Sequence, residues 1–308
     1  MIAPLATELG VRRLLVAAGE APSVLNTQPW RFRVVRREYV ELYADQDRRL
    51  TVLDPRGRSL HVSCGAALLN MRLAIRQAGY HPLVWLRPSP DAQPDLLAAI
   101  RLRQTEPART RERELYAAIP ARRTNREPYT GDPVPPDLMA DMKIAASREG
   151  AALIFLSREA VSSMLEYVAM AEDELAHSLD YLAELTKWSL PDYVRGPMPV
   201  DDPPLTRALG KRDRMAEFEA RPQLAVLTTP GDRAADWLRA GQALERVLLV
   251  ATAGGLATSF LNQPLDVRDM RRHTDPRHRR GHPQMIIRFG YGPPVGRAPR
   301  RQAHDTTI

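Results

Sequence analysis

"GAALLNMRLAIRQAGYHP" occupies Gly65–Pro82, and "GQALERVLLVATAGGLAT" occupies Gly241–Thr258. Both stretches begin with glycine, carry apolar residues at helical spacing, and reach a second glycine near the end, where helices commonly stop. They read as two long core helices, each opening at its glycine, with Cys64 just ahead of the first. The surroundings repeat as well. A β-like run precedes each helix, "VELYA" (Val40–Ala44) and "QLAVLTT" (Gln223–Thr229). Another follows after a connection, "LLAAIRLR" (Leu96–Arg103) and "QMIIRFGYG" (Gln284–Gly292). Further upstream, Val11–Val35 and Pro136–Ser157 each read as a helix and then a strand.

The expected order is therefore helix, strand, strand, long helix, strand, twice over, with a boundary near Pro107–Ala121. Mixed order of this kind implies an α+β fold rather than a strictly alternating sheet. Internal duplication is the preferred reading; the alternative is two Ala/Leu/Gly-rich helices that match by composition. Duplication divides the chain into a first half, 1–110, and a second, 111–308, the latter with an insertion at about Ala176–Arg221. That insertion contains "LTKWSLPDYVRGPMPVDDPP", whose prolines and aromatics suit an ordered lid better than a flexible linker.

The chain has 308 residues, 44% of them hydrophobic and 26% charged, which is ordinary for a globular protein. A single cysteine excludes an internal disulfide and fits a reducing compartment. Neither a secretory signal nor a membrane span is legible, so a cytoplasmic protein without membrane contact is expected. The net charge is +7, yet Arg268–Arg301 alone holds ten Arg against two Asp, an excess of eight. The remainder is near neutral, and no nucleic-acid module accompanies the basic segment, so no nucleic-acid partner is expected. RNA binding through that segment is the weakest of the readings weighed.

Two motifs occur once each. "APSVLNTQPWRF" (Ala21–Phe32) sets Ser23, Asn26, Thr27 and Gln28 before an alternating run, a row of donors and acceptors suited to the polar edge of a flat ligand. Trp30 and Phe32 read as core anchors. "ARRTNREPY" (Ala121–Tyr129) places Arg122, Arg123 and Arg126 three and four apart; as a helical turn these would share a face beside the Thr124 hydroxyl. Guanidinium forks with a hydroxyl suit a terminal phosphate, and the bland alternative is a solvated linker. If the halves pack as a pseudo-dimer, the two unique motifs can complete one site between them.

These motifs resemble the nitroreductase family: "APSVLNTQPWRF" its flavin-contacting signature, "RRTNREPY…PVP" its phosphate-binding arginine motif, and "GGLATSFLNQPLDVRDMR" (Gly254–Arg271) the segment whose backbone approaches the flavin. "RFGYGPPVGRAPRR" resembles its closing strand and basic pair. More closely, the chain resembles the actinobacterial Acg branch, in which two nitroreductase halves are fused. The resemblance implies FMN held at its phosphate by Arg122, Arg123, Thr124 and Arg126, with Arg300 or Arg301 adding a charge. It implies that Pro22, Ser23 and Asn26 contact the ribityl chain and ring edge, with Gln28 close by. Leu261, Asn262, Gln263 and Pro264 would present main chain near the reactive ring nitrogen. This chain departs from the pattern at Thr124 and Asn125, where reductases usually show Ser and a small apolar residue.

The implied activity is reduction of a nitroaromatic, quinone or similar small-molecule electron acceptor, with NADPH or NADH as transient donor. No catalytic side chain is required. The alternative is an FMN-sequestering or storage protein whose lid blocks turnover. A monomeric pseudo-dimer is expected, a homodimer being the other possibility. No Rossmann fingerprint is present. His273, His278 and His282 read as a solvated loop, Glu174 and His177 lack a second such pair, and no metal site is expected.

Overall fold

The computed structural model of the protein describes residues 4–189, 219, 221–267 and 281–308. Helix α1 (Glu8–Gly19) opens at Thr7, whose side chain accepts from the Gly10 amide. It leads to β1 (Trp30–Val35) and β2 (Tyr39–Ala44), helix α2 (Arg58–Gln77), and strands β3 (Tyr80–Leu86) and β4 (Leu96–Gln104). Helix α3 (Thr110–Ala118) crosses to the second unit. There α4 (Pro136–Ser147), β5 (Ala152–Phe155), α5 (Arg158–Ala176) and α6 (Leu179–Ser189) precede β6 (Gln223–Thr229). Helix α7 (Ala234–Ala253), β7 (Ala257–Phe260), the single turn α8 (Gln263–Asp266) and β8 (His282–Gly290) complete it.

The strands form two four-stranded sheets, ordered β1-β2-β4-β3 and β5-β6-β8-β7, with every neighbouring pair antiparallel. Position for position the two orders correspond, and the α+β class follows. In β1 and β2 alternation sets the register: Trp30, Phe32, Val40 and Leu42 are buried, while Arg31, Arg33 and Glu41 face outward as partners. Trp30 and Phe32 are core residues, as their place in an alternating run implies.

Strands β3 and β7 extend the expected order by one strand in each unit. Both are edge strands, and neither shows a clean period of two. Strand β3 carries Pro82, tolerated at an edge because it leaves no central ladder position without a donor. Strand β7 is four residues long and directly follows Gly254, Gly255 and Leu256.

The two long helices also differ from expectation, and the reason is informative. Each starts seven residues before its glycine, at Arg58 (65 − 58) and Ala234 (241 − 234). Cys64 is thus inside α2, fully buried, where the apolar surroundings push its thiol pKa up. Gly65 and Gly241 are not starts but contact points. A methyl group at Gly65 would overlap the Leu238 carbonyl oxygen and lie 3.0 Å from Gly241 Cα; one at Gly241 would overlap the Val62 carbonyl oxygen. The helices touch backbone to backbone, each through a glycine and the residue three before it. Their contact is the most extensive between any two helices of the fold. The apolar cores knit together there: Val62, Leu69 and Leu73 of α2 belong to the core over the second sheet, and Leu238 of α7 to that over the first.

Gly65→Ala and Gly241→Ala should each destabilise the protein by about 1–3 kcal/mol, as expected for overpacking a close-packed interface. Gly131→Ala, where the added carbon meets nothing within 4 Å, is the control. Denaturant midpoints shifted equally in all three variants would contradict the crossing.

Candidate functional site

The loop between α1 and β1 is tightly held. Ser23 Oγ accepts from the Gln28 amide at 2.9 Å, Thr27 Oγ1 donates to the Val24 carbonyl at 2.8 Å, and Ser63 Oγ of α2 accepts from the Val24 amide at 3.2 Å. Leu25, Asn26 and Gln28 have φ of +46°, +54° and +48°, a conformation side chains rarely adopt and surrounding contacts must enforce. Pro22 and Gln28 are buried; Ser23 and Asn26 are partly exposed.

The C-terminal tail supplies those contacts. After β8 it crosses to the first sheet, where the Ile308 amide donates to the Phe32 carbonyl at 2.9 Å. Asn26 Nδ2 donates to the Pro299 carbonyl at 3.0 Å, and Gln28 Oε1 accepts from the Arg301 amide at 2.8 Å. Geometry separates the two closing arginines. Arg301 donates to Asp45 at 3.0 Å, to the Gln28 carbonyl at 2.9 Å and to the Asp305 carbonyl at 2.7 Å, so it is a structural clamp. Arg300 turns the other way, donating to the Glu20 carbonyl at 3.3 Å and to Asn26 Oδ1 at 3.3 Å.

Arg122 meets Arg300 there. The segment Arg122–Arg126 is not a helical turn: Thr124 forms a parallel bridge with Thr258, and the Asn125 amide donates to the Thr258 carbonyl at 2.8 Å. Pairing with β7 at Thr124 puts neighbouring side chains on alternate sides of the chain, so Arg122, Arg123 and Arg126 do not line one helical face. Arg122 is buried at 2% exposure, donates to the Glu20 carbonyl at 3.1 Å, and lies 3.6 Å from a Glu245 oxygen of α7. Arg297 pairs with the Glu20 carboxylate, and Arg123 lies beside Arg122. Four guanidinium groups (Arg122, Arg123, Arg297, Arg300) thus gather around two carboxylates, Glu20 and Glu245.

The electrostatics follow from burial and crowding. Burial, then Arg122, lowers Arg300 to about 10; the same two causes lower Arg123. Glu245 is fully enclosed, and burial raises its carboxyl above the ordinary range against the pull of Arg122 and Asn70. Hydrogen bonding is incomplete. Among the described residues Arg122 Nε and Nη1, Arg300 Nε, Glu20 Oε2, both Glu245 oxygens and both Asn70 amide atoms have no partner at hydrogen-bond geometry. Enclosed polar atoms of this kind call for partners.

Of the expected residues, Asn26, Gln28, Arg122 and Arg300 converge through the Glu20 and Pro299 carbonyls, and Arg123 and Thr124 adjoin them. In the Leu261–Pro264 segment, Leu261 packs on the cluster of Met164, Leu224, Val226, Leu265 and Ile286, and Asn262 Oδ1 accepts from the Ile286 amide at 2.9 Å. Glu20, Asn70, Glu245 and Arg297 were not anticipated. Asn70 and Glu245 had a signal, being polar residues inside apolar helical runs; Glu20 and Arg297 had none.

Part of the expected insertion is described. Helix α6 docks on the first unit through Glu184, whose carboxylate accepts from the Thr51, Val52 and Leu53 amides at 2.6, 3.1 and 2.8 Å. Tyr181 and Leu185 of α6 pack against Leu25, next to Asn26. At the other end Arg288 grips Glu219 with a paired contact at 2.5 Å, and the Tyr129 amide donates to it at 3.1 Å. Residues 190–218, 220 and 268–280, with His273 and His278 among them, lie outside the described residues. His282 begins β8, and His177 is exposed beside Asp173. No group of metal-ligating side chains occurs among the described residues, and no described helix is long and apolar enough to cross a membrane.

Fold and cluster together define an α+β protein of two corresponding sheet units, with a buried cation-rich junction where segments from both meet. The chain matches the Nitroreductase family over residues 119–291. It is 35% identical, over 95% of its length and 89% of the relative's, to the "Putative NAD(P)H nitroreductase Rv3131" of Mycobacterium tuberculosis (strain ATCC 25618 / H37Rv). It is 27% identical, over 94% of its length and 91% of the relative's, to the "Putative NAD(P)H nitroreductase acg" of the same strain. Among solved structures, a nitroreductase of Bacteroides fragilis NCTC 9343 with bound FMN aligns with TM-score 0.39 and 17% identity, covering 59% of this chain and 92% of that one. The chain belongs to the nitroreductase family.

The Glu219 contact carries a pH prediction. Burial opposes ionisation, but the Arg288 and Tyr129 hydrogen bonds prevail and hold its carboxyl below the ordinary range. The stabilisation should therefore be fully present above the unfolded value of about 4.3 and fade as pH falls through the depressed folded value. Melting temperatures of wild type and Glu219→Gln should differ near neutrality and converge at acid pH. A gap independent of pH would refute the assignment.

Proposed function

We propose that this chain binds FMN at the junction of its two halves, 1–110 and 111–308, and reduces small-molecule acceptors such as nitroaromatics or quinones using NADPH or NADH. The observation that carries the reading is the Arg122–Arg300 cluster. Like charges crowd in a desolvated space around one carbonyl, with guanidinium nitrogens left without partners. A phosphate dianion supplies the missing acceptors, and charge-assisted hydrogen bonds to it are the strong kind. The residues present therefore fit the FMN phosphate.

Arg122, Arg123 and Arg300 would hold the phosphate, with the Thr124 hydroxyl and Arg126 at the margin; Arg301 would fix the tail that carries Arg300. Asn26 and Gln28, set by their left-handed backbone, would orient the ribityl chain and ring edge, with Pro22 and Ser23 shaping the loop. Leu261, Asn262, Gln263 and Pro264 would offer main chain toward the ring. The flavin, when bound, supplies the electron chemistry, accepting hydride from the nicotinamide and returning electrons to the acceptor. The protein's part is binding, orientation and charge, so no side chain is assigned as acid or base. Segments from both halves meet within one chain, so a monomer suffices for the site.

The docking of α6 favours a second reading, an FMN-sequestering protein. Its Tyr181 and Leu185 lie on Leu25, beside the loop assigned to the flavin, and Glu184 fastens the helix there. An anaerobic visible spectrum separates the two. Rapid bleaching of bound FMN by NADPH would support the reductase; a band that only dithionite bleaches would support sequestration. A protein that takes up no FMN would refute both.

Arg122→Ala and Arg300→Ala should each weaken FMN binding by about 1.5–3 kcal/mol, roughly 10- to 150-fold, measured by flavin fluorescence quenching. Unchanged affinity in both would contradict the phosphate assignment. If α6 restrains access, Glu184→Ala should speed FMN release and NADPH-driven bleaching; identical stopped-flow rates would exclude that restraint.

A further inference from the structure

We propose that Glu245 is a positioning residue that couples phosphate binding to protonation: as a carboxylate it holds Arg122 while the site lacks an anion, and it takes up a proton when a phosphate dianion engages that guanidinium. The proposal rests on the FMN reading above and concerns how the same site balances its charge.

The argument starts from who faces Glu245. Arg122 approaches from the segment after α3, Asn70 from α2, Arg300 from the tail, and Glu20 from the end of α1. Glu245 has no exposure at all, and the Arg122 contact of 3.6 Å is an ion pair too long to be a hydrogen bond. Both carboxylate oxygens and both Asn70 amide atoms are without partners at hydrogen-bond geometry. A buried carboxylate whose nearest cation is held by a loose ion pair, with Asn70 its other favourable neighbour, depends heavily on that cation.

In the innermost set, Arg122 and Arg300 are balanced by Glu20 and Glu245. Introducing a phosphate dianion adds two negative charges to that set, and Arg123 and Arg297 contribute from its more exposed side. Of the two carboxylates, Glu20 retains Arg297, which is 55% exposed and leaves that pair partly solvated. Glu245 has no such outlet. Its least costly state beside a dianion is the neutral acid, the direction in which burial already pushes it.

Asn70 completes the case. Asn70 can serve both states: its Nδ2 donates to the carboxylate and favours the charged form, and once Glu245 is protonated the acid O–H can donate to Oδ1 while the acid carbonyl accepts from Nδ2. The proton comes from solvent and ends on Glu245; Arg122 exchanges its carboxylate partner for phosphate oxygen. Glu245 and Asn70 then partner one another, and the enclosed charge is reduced. Aspartate or leucine at 70 would lose this match.

The test is proton uptake on FMN binding, measured by titration calorimetry in buffers of different ionisation enthalpy. At about pH 8 the phosphate is already a dianion, its second pKa being about 6. Wild type should take up about one proton per FMN, and Glu245→Gln should bind FMN with none. FMN binding without proton uptake in wild type would overturn the proposal and leave the flavin reading standing. Uptake persisting in a folded Glu245→Gln would also overturn it. Should that variant not fold, infrared difference spectra of wild type decide. A carboxylic-acid band appearing with FMN, and moving on ¹³C-glutamate labelling, supports the proposal; its absence refutes it. No binding of FMN at all would refute the underlying reading first.

Discussion

Backbone contact between α2 and α7 is the constraint on which the rest of the molecule depends. Two glycines let the helix axes approach until each faces a carbonyl of the other, and no side chain can enter. Each helix is covered by its own sheet on one side, so the crossing welds two sheet units into one body. It also fixes what lies one turn further on. Glu245 stands four residues beyond Gly241 and Asn70 five beyond Gly65, which delivers both to the same enclosed region. The polar cluster is therefore a consequence of the crossing as much as of its own attractions.

Two edge pairings do the remaining work. The Arg122 segment, after α3 has crossed to the second unit, runs along the β7 edge there; the tail leaving the second unit ends on the β1 edge of the first. Each pairing covers an edge strand, whose unpaired groups would otherwise be open. Each also brings one arginine to the carbonyl end of α1, where a helix terminus carries partial negative charge. Arg122 and Arg300 thus reach the same oxygen from opposite directions. Asp45 meanwhile pairs with both Arg301 and Arg31, so adjacent arginines in the tail have unlike fates.

The described ends of the insertion are held by single acidic side chains. Glu184 serves three consecutive amides, and Glu219 serves the Arg288 fork. Both contacts are charge-assisted, and each joins the insertion to a different unit. Helix α6, fastened in this way, packs against Leu25 in the loop that carries Asn26.

Much of the fold is legible in the residues themselves. Helical period located α2 and α7, alternation located β1 and β2, and the paired glycine-led stretches exposed the correspondence between units, because such patterns depend only on near neighbours along the chain. The unequal motifs marked Asn26, Gln28, Arg122 and Arg300 as candidates for the same reason. What the sequence could not show is anything set by distant partners. Gly65 and Gly241 look like helix starts until the facing carbonyls are seen. Pro82 hides β3 until its edge position is known, and Arg122–Arg126 suits a helical turn until Thr258 draws it straight. That Arg300 joins Arg122 at Glu20 while Arg301 pairs with Asp45, and that Glu20, Asn70 and Glu245 arrive at one point, were decided by tertiary structure alone. Burial and charge depend on which residues meet in space, and sequence period does not carry that information.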